Sequence, residues 1–218
     1  ERQPVRPANH PGVQSRAYHG VGGRWRPAVA GHKESRMASA FSHAFVGLAL
    51  GQAYARHRMP WHFWALSITC SMVPDADVLG FALGIPYASP WGHRGLSHSL
   101  CFAFVLSLCV VSLAFRQPVP YSRLWCSHVL YFFVVTASHG VLDAMTDGGE
   151  GIAFLAPFDA TRYFFPWQPV QVSPIGIGAF FSTRGLRILR TELIFIWLPT
   201  ILFCATVRLC RRRQTMAY

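Results

Sequence analysis

Long apolar runs without charged residues are the feature that most constrains this chain. After His98, for example, no charged residue occurs before Arg116. A helix needs about 20 apolar residues to cross a bilayer. Because the bilayer core offers no water to backbone groups, such runs must satisfy their hydrogen bonds internally as helices. The sequence therefore predicts membrane-spanning helices.

Five such runs are present, separated by loops that contain arginine or proline. They cover about 38–55, 61–83, 97–115, 124–145 and 188–209. Only 13% of the residues are charged, against about 25% in a soluble domain. We therefore predict an all-α fold, a polytopic integral membrane bundle of about four to five transmembrane helices.

The polar ends of the chain differ from its apolar middle. Residues 1–36 are rich in arginine, proline and glycine and lack a long apolar run, a composition typical of disorder. We interpret them as a disordered basic leader and, because Met37 resembles a membrane-protein start, as an extension that need not be native. Residues 37–210 would form the membrane-embedded domain and residues 211–218 a basic cytoplasmic tail.

The arginines indicate an orientation in the membrane. The net charge is +11, and much of it lies in the loops after the first and third runs and in the tail. Such loops favour the cytoplasmic side of a membrane, although the basic leader would lie opposite. A nucleic-acid-binding protein would instead collect this charge on a soluble face. We expect the lipid bilayer as partner, and we predict neither a nucleic acid nor a protein partner.

Histidine and aspartate residues lie near one end of each of the first four runs. Successive helices run in opposite directions, so these ends meet at one membrane face. Ionisable groups at membrane depth are costly, usually face the bundle interior and mark function. We predict that seven of them lie at one level: His43, Asp75, Asp77, His93, His98, His139 and Asp143.

Two short motifs carry four of these residues. Asp75 and Asp77 follow Pro74, which should break the helix, so that backbone and carboxylates can line a cavity. His139 and Asp143 are four residues apart and share one helix face. Alone, each motif would also fit a helix end or a packing pair.

The segment from Gly92 to Ser99 is the richest in polar groups. It contains two imidazoles, two hydroxyl groups and Arg94, whose planar fork can hold a phosphate or a carboxylate. The alternative is a polar interfacial loop in which Ser97 caps the third helix.

A divalent cation would offset the desolvation of such a cluster. Imidazole suits zinc, and imidazole with carboxylate also suits manganese or iron. We expect Asp77, or Asp75 if it is not a ligand, to act as general base and Arg94 to stabilise developing negative charge. The expected metal ligands, with zinc as the first choice, are His43, Asp75, His93, His98, His139 and Asp143.

Four motifs occur together in a familiar order. They are Ser42-His43, Pro74-Asp75-Ala76-Asp77, the block from Gly92 to Ser99, and the block from Ser138 to Thr146. Over about residues 37–160, and more loosely beyond, the chain resembles the bacterial inner-membrane proteins described as LexA-regulated, membrane-bound, metal-dependent hydrolases. The resemblance implies an all-helical membrane hydrolase and supports the same seven residues. The leader and Asp147-Gly148-Gly149 depart from the family pattern.

Three functions fit these observations. The first is hydrolysis of an ester or phosphoester in a lipid or lipid-linked substrate. The second is a transporter or a proton or metal relay, which should need polar groups through the whole bilayer depth. The third is a structural protein that binds metal only for stability. Apart from His128, the opposite half of the predicted bundle is nearly devoid of ionisable groups, which favours the first function over the second.

Overall fold

The computed structural model describes residues 36–37, 39–115, 118–174 and 183–216. Apart from Arg36, the predicted disordered leader lies outside the described residues. Residues 217–218 of the predicted tail do as well.

The described chain is helical, as predicted. Between its helices lie the 3-10 segments Val73–Val78 and Leu96–His98 and the π-helical turn Leu193–Trp197. A two-residue antiparallel ladder joins β1 (Arg36–Met37) to β2 (Ser173–Pro174). The helices are α1 (Ala40–Tyr54), α2 (Trp61–Met72), α3 (Leu79–Ala82), α4 (Leu100–Ala114), α5 (Arg123–Ala144), α6 (Thr183–Glu192) and α7 (Leu198–Met216).

Three helical stretches in the described residues are long and apolar enough to cross a membrane: Trp61–Ala82, Arg123–Ala144 and Gly185–Gln214. α1 and α4 contain 15 residues each, which is about 22 Å of helix. The hydrocarbon core is about 30 Å thick. The all-helical membrane bundle is therefore confirmed, with three full-length spans among the four to five helices expected.

Serine residues cap the first turns of α1, α4 and α5. Ser99 Oγ accepts a hydrogen bond from the N–H of Phe102 at 3.0 Å, and Ser122 Oγ accepts one from Trp125 at 3.2 Å. These side chains satisfy backbone donors that have no partner within the helix. Ser99 thus caps α4, whereas Ser97, the cap of the alternative interpretation, donates to Asp77 instead.

Pro74 interrupts the second apolar run, as predicted. α2 ends at Met72, and Val73–Val78 continues as a 3-10 helix that contains both Asp75 and Asp77. Proline has no N–H to donate, and its ring clashes with the preceding turn. The break turns both carboxylates toward the ends of the neighbouring helices.

A glycine brings α1 close to α2. A β-carbon at Gly47 would lie 2.7 Å from both the carbonyl oxygen of Ser67 and Oγ of Ser71. Small residues at such contacts let helix backbones approach closely within a membrane. This approach carries the start of α1, with His43, against the end of α2.

The segment after α5 folds back over the end of that helix. The N–H of Asp147 donates to the carbonyl of Val170 at 3.0 Å, and Ile152 pairs with Tyr163. The N–H of Ala153 donates to the carbonyl of Arg94 at 3.1 Å. The fold-back segment, residues 146–172, therefore covers the loop that carries His93 and His98.

Candidate metal centre

All seven predicted residues lie in one cluster at the meeting point of α1, α5, the Pro74 segment and the loop before α4. Five of them are buried, with at most 4% of the residue surface exposed: His43, His93, His98, His139 and Asp143. The side chain of Asp77 is 7% exposed and that of Asp75 is 17% exposed. Asp75 therefore marks the most open side of the cluster.

Four side-chain atoms of this cluster face one another. His139 Nε2 lies 3.1 Å from His98 Nε2, 3.2 Å from Asp75 Oδ1 and 3.7 Å from Asp143 Oδ2. His98 Nε2 lies 3.7 Å from Asp75 Oδ1 and 3.6 Å from Asp143 Oδ2. Ligand atoms of a tetrahedral ion with bonds of about 2.1 Å are about 3.4 Å apart. The four atoms thus have the spacing of a two-nitrogen, two-oxygen metal site.

In His98 and His139, the contact made by Nδ1 determines which ring nitrogen carries a lone pair. His139 Nδ1 lies 2.8 Å from the carbonyl oxygen of Ser71, and His98 Nδ1 lies 3.2 Å from Asp77 Oδ2. Both oxygens can only accept, so in the neutral rings Nδ1 carries the proton and Nε2 the lone pair. Two lone pairs then face each other at 3.1 Å. A cation between them would satisfy both.

The charges of the cluster also favour a cation. Asp75, Asp77 and Asp143 contribute three negative charges against the single positive charge of Arg94. With neutral imidazoles, two negative charges remain in a largely buried position. Buried charges need a partner, and a divalent cation supplies the missing two positive charges.

Asp77 holds the loop around the cluster through both oxygens. Oδ1 lies 2.6 Å from His93 Nδ1, and Oδ2 accepts from the backbone N–H of Arg94 at 3.1 Å and from Ser97 Oγ at 2.5 Å. Asp77, His93 and His98 form a second group able to hold an ion. His93 Nε2 is buried without a hydrogen-bond partner among the described residues.

His43 is not one of the four facing residues but contacts two of them, His139 and Asp143. Its ring stacks on that of His139, with centroids 3.8 Å apart and an interplanar angle of 18°. Its Nε2 lies 3.5 Å from Asp143 Oδ1, the oxygen that does not face the other two histidines. His43 therefore lines the site from the side of α1.

Arg94 ties the cluster to the fold-back segment. Nη1 donates to the carbonyl of Gly148 at 2.7 Å, Nη2 donates to Thr146 Oγ1 at 3.1 Å, and Nε lies 3.4 Å from Asp143 Oδ2. The residue is fully buried and has a φ of 64°, a left-handed conformation that is costly outside glycine. A buried guanidinium thus sets the position of Asp143.

Glu192 was missed by sequence reasoning. It is fully buried and accepts hydrogen bonds from the N–H of Ser39 at 2.7 Å, Ser39 Oγ at 2.5 Å and Ser42 Oγ at 2.8 Å. It thereby holds the start of α1, and Ser42 directly precedes His43. The available signal was that Glu192 is the only acidic residue of the fifth run, and an ionisable residue within a membrane segment usually has a role.

Arg162 was missed as well. Nη1 donates to the carbonyl of His93 at 3.0 Å, and Nη2 donates to that of Tyr87 at 2.9 Å. It fixes the backbone of the loop that carries His93. No pattern in the sequence pointed to it, because the contact joins two irregular segments.

Comparison with known proteins identifies the family. The family model for YdjM, an inner membrane protein, matches residues 37–215. The chain is also 36% identical over 169 residues to the inner membrane protein YbcI of Escherichia coli strain K12, covering 76% of this chain and 94% of that protein. No solved structure matches. Neither name mentions hydrolysis or LexA, so both remain expectations, while location in the inner membrane is confirmed. The chain belongs to the YdjM family of inner membrane proteins.

Proposed function

We propose that this protein is a membrane-bound, metal-dependent hydrolase that cleaves an ester or phosphoester bond in a lipid or lipid-linked substrate. One observation carries the proposal. Asp75, His98, His139 and Asp143 present two nitrogens and two oxygens to one point, with nitrogen–nitrogen and nitrogen–oxygen distances of 3.1 to 3.7 Å. This donor set fits zinc best, and manganese or iron as alternatives.

The bound ion would supply a Lewis acid and a water of lowered pKa. The chain's own residues orient the site. Ser71 fixes the ring of His139 through its carbonyl, and Asp77 fixes the ring of His98. Hydrogen bonds of this kind hold metal-binding imidazoles in place and set their tautomer.

A single ion fits the cluster better than two. The two groups able to hold an ion share His98, whose Nδ1 faces Asp77 while Nε2 faces Asp75 and Asp143. A neutral imidazole has only one lone pair. We therefore assign the ion to the group with His139 and Asp143, and a supporting position to His93.

The roles expected of Asp77 and Arg94 stay predictions, and their contacts favour orientation. Both oxygens of Asp77 already accept hydrogen bonds or face imidazoles. Asp75 is the more exposed carboxylate and would be the general base in a state in which it does not bind the ion. Arg94 would act on the reaction through Asp143, whose position it sets.

Exposed aromatic side chains favour a lipid substrate. Trp91, Phe158 and Trp167 lie on the segments that cover the cluster, and each exposes more than 60% of its surface. Aromatic residues are enriched at the level of lipid headgroups. That level also contains the ester and phosphoester bonds of phospholipids, which supports a substrate of this class.

Hydrolysis by the purified full-length chain tests the proposal. Detergent-solubilised protein loaded with zinc or manganese should release phosphate or fatty acid from phospholipids or lipid-linked phosphates. His98→Ala should lower the rate to the uncatalysed background, while His57→Ala, a histidine outside the cluster, should leave it unchanged. Hydrolysis retained in His98→Ala would contradict the proposal. Metal-dependent thermal stability without turnover of any ester would favour a purely structural metal.

Asp77→Asn should weaken metal binding without removing a ligand. Asparagine keeps the size of Asp77 but loses a charge and one acceptor, so His93, Ser97 and His98 can no longer all be held. We expect metal affinity to fall by about 10- to 100-fold, measured by competition with a chelating dye. Asp159→Asn, which alters a carboxylate that accepts hydrogen bonds from nearby Thr161 and Tyr163, is the control. Equal affinities in the two variants would contradict the orienting role.

A second candidate, a proton or metal relay, is favoured by polar side chains in the other half of the bundle. Sequence reasoning noticed only His128 there. Tyr54 Oη lies 3.0 Å from Ser127 Oγ and 3.2 Å from His128 Nδ1, and Ser67 Oγ lies 2.6 Å from Tyr131 Oη. Uptake of zinc or manganese into sealed vesicles that contain the protein, abolished by Tyr131→Phe, would place transport above hydrolysis.

A further inference from the structure

A polar cavity lies at the end of the bundle opposite the metal centre. It occupies about 560 Å³ between the C-terminal ends of α1 and α7. Arg56 follows His43 by 13 residues, which corresponds to about 20 Å of helix. Four of the lining residues are arginines: Arg56, Arg208, Arg211 and Arg212.

Two of these arginines are held in place by α1. Arg208 Nη2 donates to Gln52 Oε1 at 2.8 Å, and Arg211 Nη1 donates to the carbonyl of Ala55 at 3.2 Å. Both contacts lie at the C-terminal end of α1, where free carbonyl groups attract cations. Arg208 and Arg211 are thereby held at the cavity that Arg56 and Arg212 also line.

The cavity carries positive charge without a matching carboxylate in its lining. Its remaining described lining residues are Gln52, Ala55 and Gln214. The acidic residues of the described chain all lie elsewhere, between 75 and 77, between 143 and 159, and at 192. The guanidinium groups of Arg56, Arg208 and Arg212 share this space, and an anion with several acceptor oxygens would bind them through forked hydrogen bonds.

The neighbouring surface indicates what carries the anion. α7 belongs to a candidate membrane span, and Leu202 and Leu209 expose 66% and 59% of their surfaces. Seven residues apart, they lie on one helix face, and Arg212 follows one turn after Leu209. An apolar track therefore ends at a basic cavity. Basic pockets between helices at the cytoplasmic face recognise anionic lipid headgroups.

We propose that this cavity binds the phosphate group of an anionic phospholipid from the cytoplasmic leaflet, with the acyl chains along α7. The site is separate from the metal centre and independent of hydrolysis. It also agrees with the predicted orientation, in which the loop after α1 and the chain end are cytoplasmic.

Lipid titration of the full-length protein in neutral detergent tests the proposal. Native mass spectrometry should show that phosphatidylglycerol binds at least tenfold more tightly than phosphatidylcholine. The affinity for phosphatidylglycerol should fall roughly 100-fold in the triple variant Arg56→Gln, Arg208→Gln, Arg212→Gln, which loses three contacts. In Arg212→Gln, which loses one contact, it should fall roughly fivefold. Metal content should be unchanged in both variants.

The matched control removes the same charge elsewhere. This control triple variant changes three exposed arginines that do not line the cavity: Arg123→Gln, Arg187→Gln, Arg190→Gln. It should keep the wild-type preference for phosphatidylglycerol over phosphatidylcholine. An equal loss in this control would mean that net charge alone attracts the lipid and would overturn the proposal. Equal binding of the two lipids by the wild type would overturn it too, as would displacement of the lipid by millimolar inorganic phosphate.

Discussion

Replacing both His98 and His139 with alanine is expected to remove bound transition metal from the protein. The two Nε2 atoms are 3.1 Å apart and are the only nitrogens of the four-atom set. Each ligand of a four-coordinate ion contributes about 3 kcal/mol, or roughly 100-fold in affinity. The loss of two ligands should lower affinity by roughly 10,000-fold, beyond what survives purification.

Elemental analysis of detergent-purified protein measures this directly. The wild type should contain about one equivalent of zinc, manganese or iron per chain, and the double variant none. The matched control is His57→Ala, His62→Ala, two histidines that line an apolar cavity with His128 and do not belong to the cluster; it should retain the metal. A wild type that holds no metal, even after incubation with excess zinc or manganese, would refute the metal centre.

Arg94→Ala is expected to destabilise the fold by about 3 to 5 kcal/mol, because it leaves the Asp143 carboxylate buried without its cation. The change also removes the hydrogen bonds to Gly148 and Thr146, which hold the fold-back segment. The free energy of unfolding, measured by titration with SDS in mixed micelles, should fall accordingly. Arg187→Ala changes an exposed arginine and should alter stability by less than about 0.5 kcal/mol.

A second variant separates the side chain from the backbone. Since Arg94 has a φ of 64°, Arg94→Gly removes the same guanidinium but suits the left-handed conformation. It should be more stable than Arg94→Ala by about 1 kcal/mol. If Arg94→Ala unfolds like Arg187→Ala, the guanidinium does not hold the cluster together.

The sequence was sufficient for the parts of the site that depend on local patterns. The break at Pro74 follows from the missing N–H of proline, and the shared face of His139 and Asp143 follows from helical periodicity. Alternating helix directions then brought seven side chains to one end of the bundle. The structure does place them together, whereas their individual roles stay predictions.

Other parts depended on contacts between distant segments. Glu192 reaches Ser39 across 153 positions, and Arg162 reaches the carbonyl of His93 across 69. No periodicity encodes such pairs, because they arise only when irregular segments pack. Local patterns also did not locate the end of the last helix. The tail was predicted to begin at residue 211, whereas α7 continues through Arg211–Arg213 to Met216.

The buried carboxylate of Glu192 has a consequence for the order in which the protein matures. Ser39 and Ser42 are synthesised about 150 residues before their acceptor, and until it arrives the start of α1 has polar groups that lipid cannot satisfy. The start of α1 therefore reaches its final position only after Glu192, in the span Gly185–Gln214, has been made. Because His43 directly follows Ser42 in this junction, a chain that stops before Glu192 would leave the His/Asp cluster without its support at the start of α1.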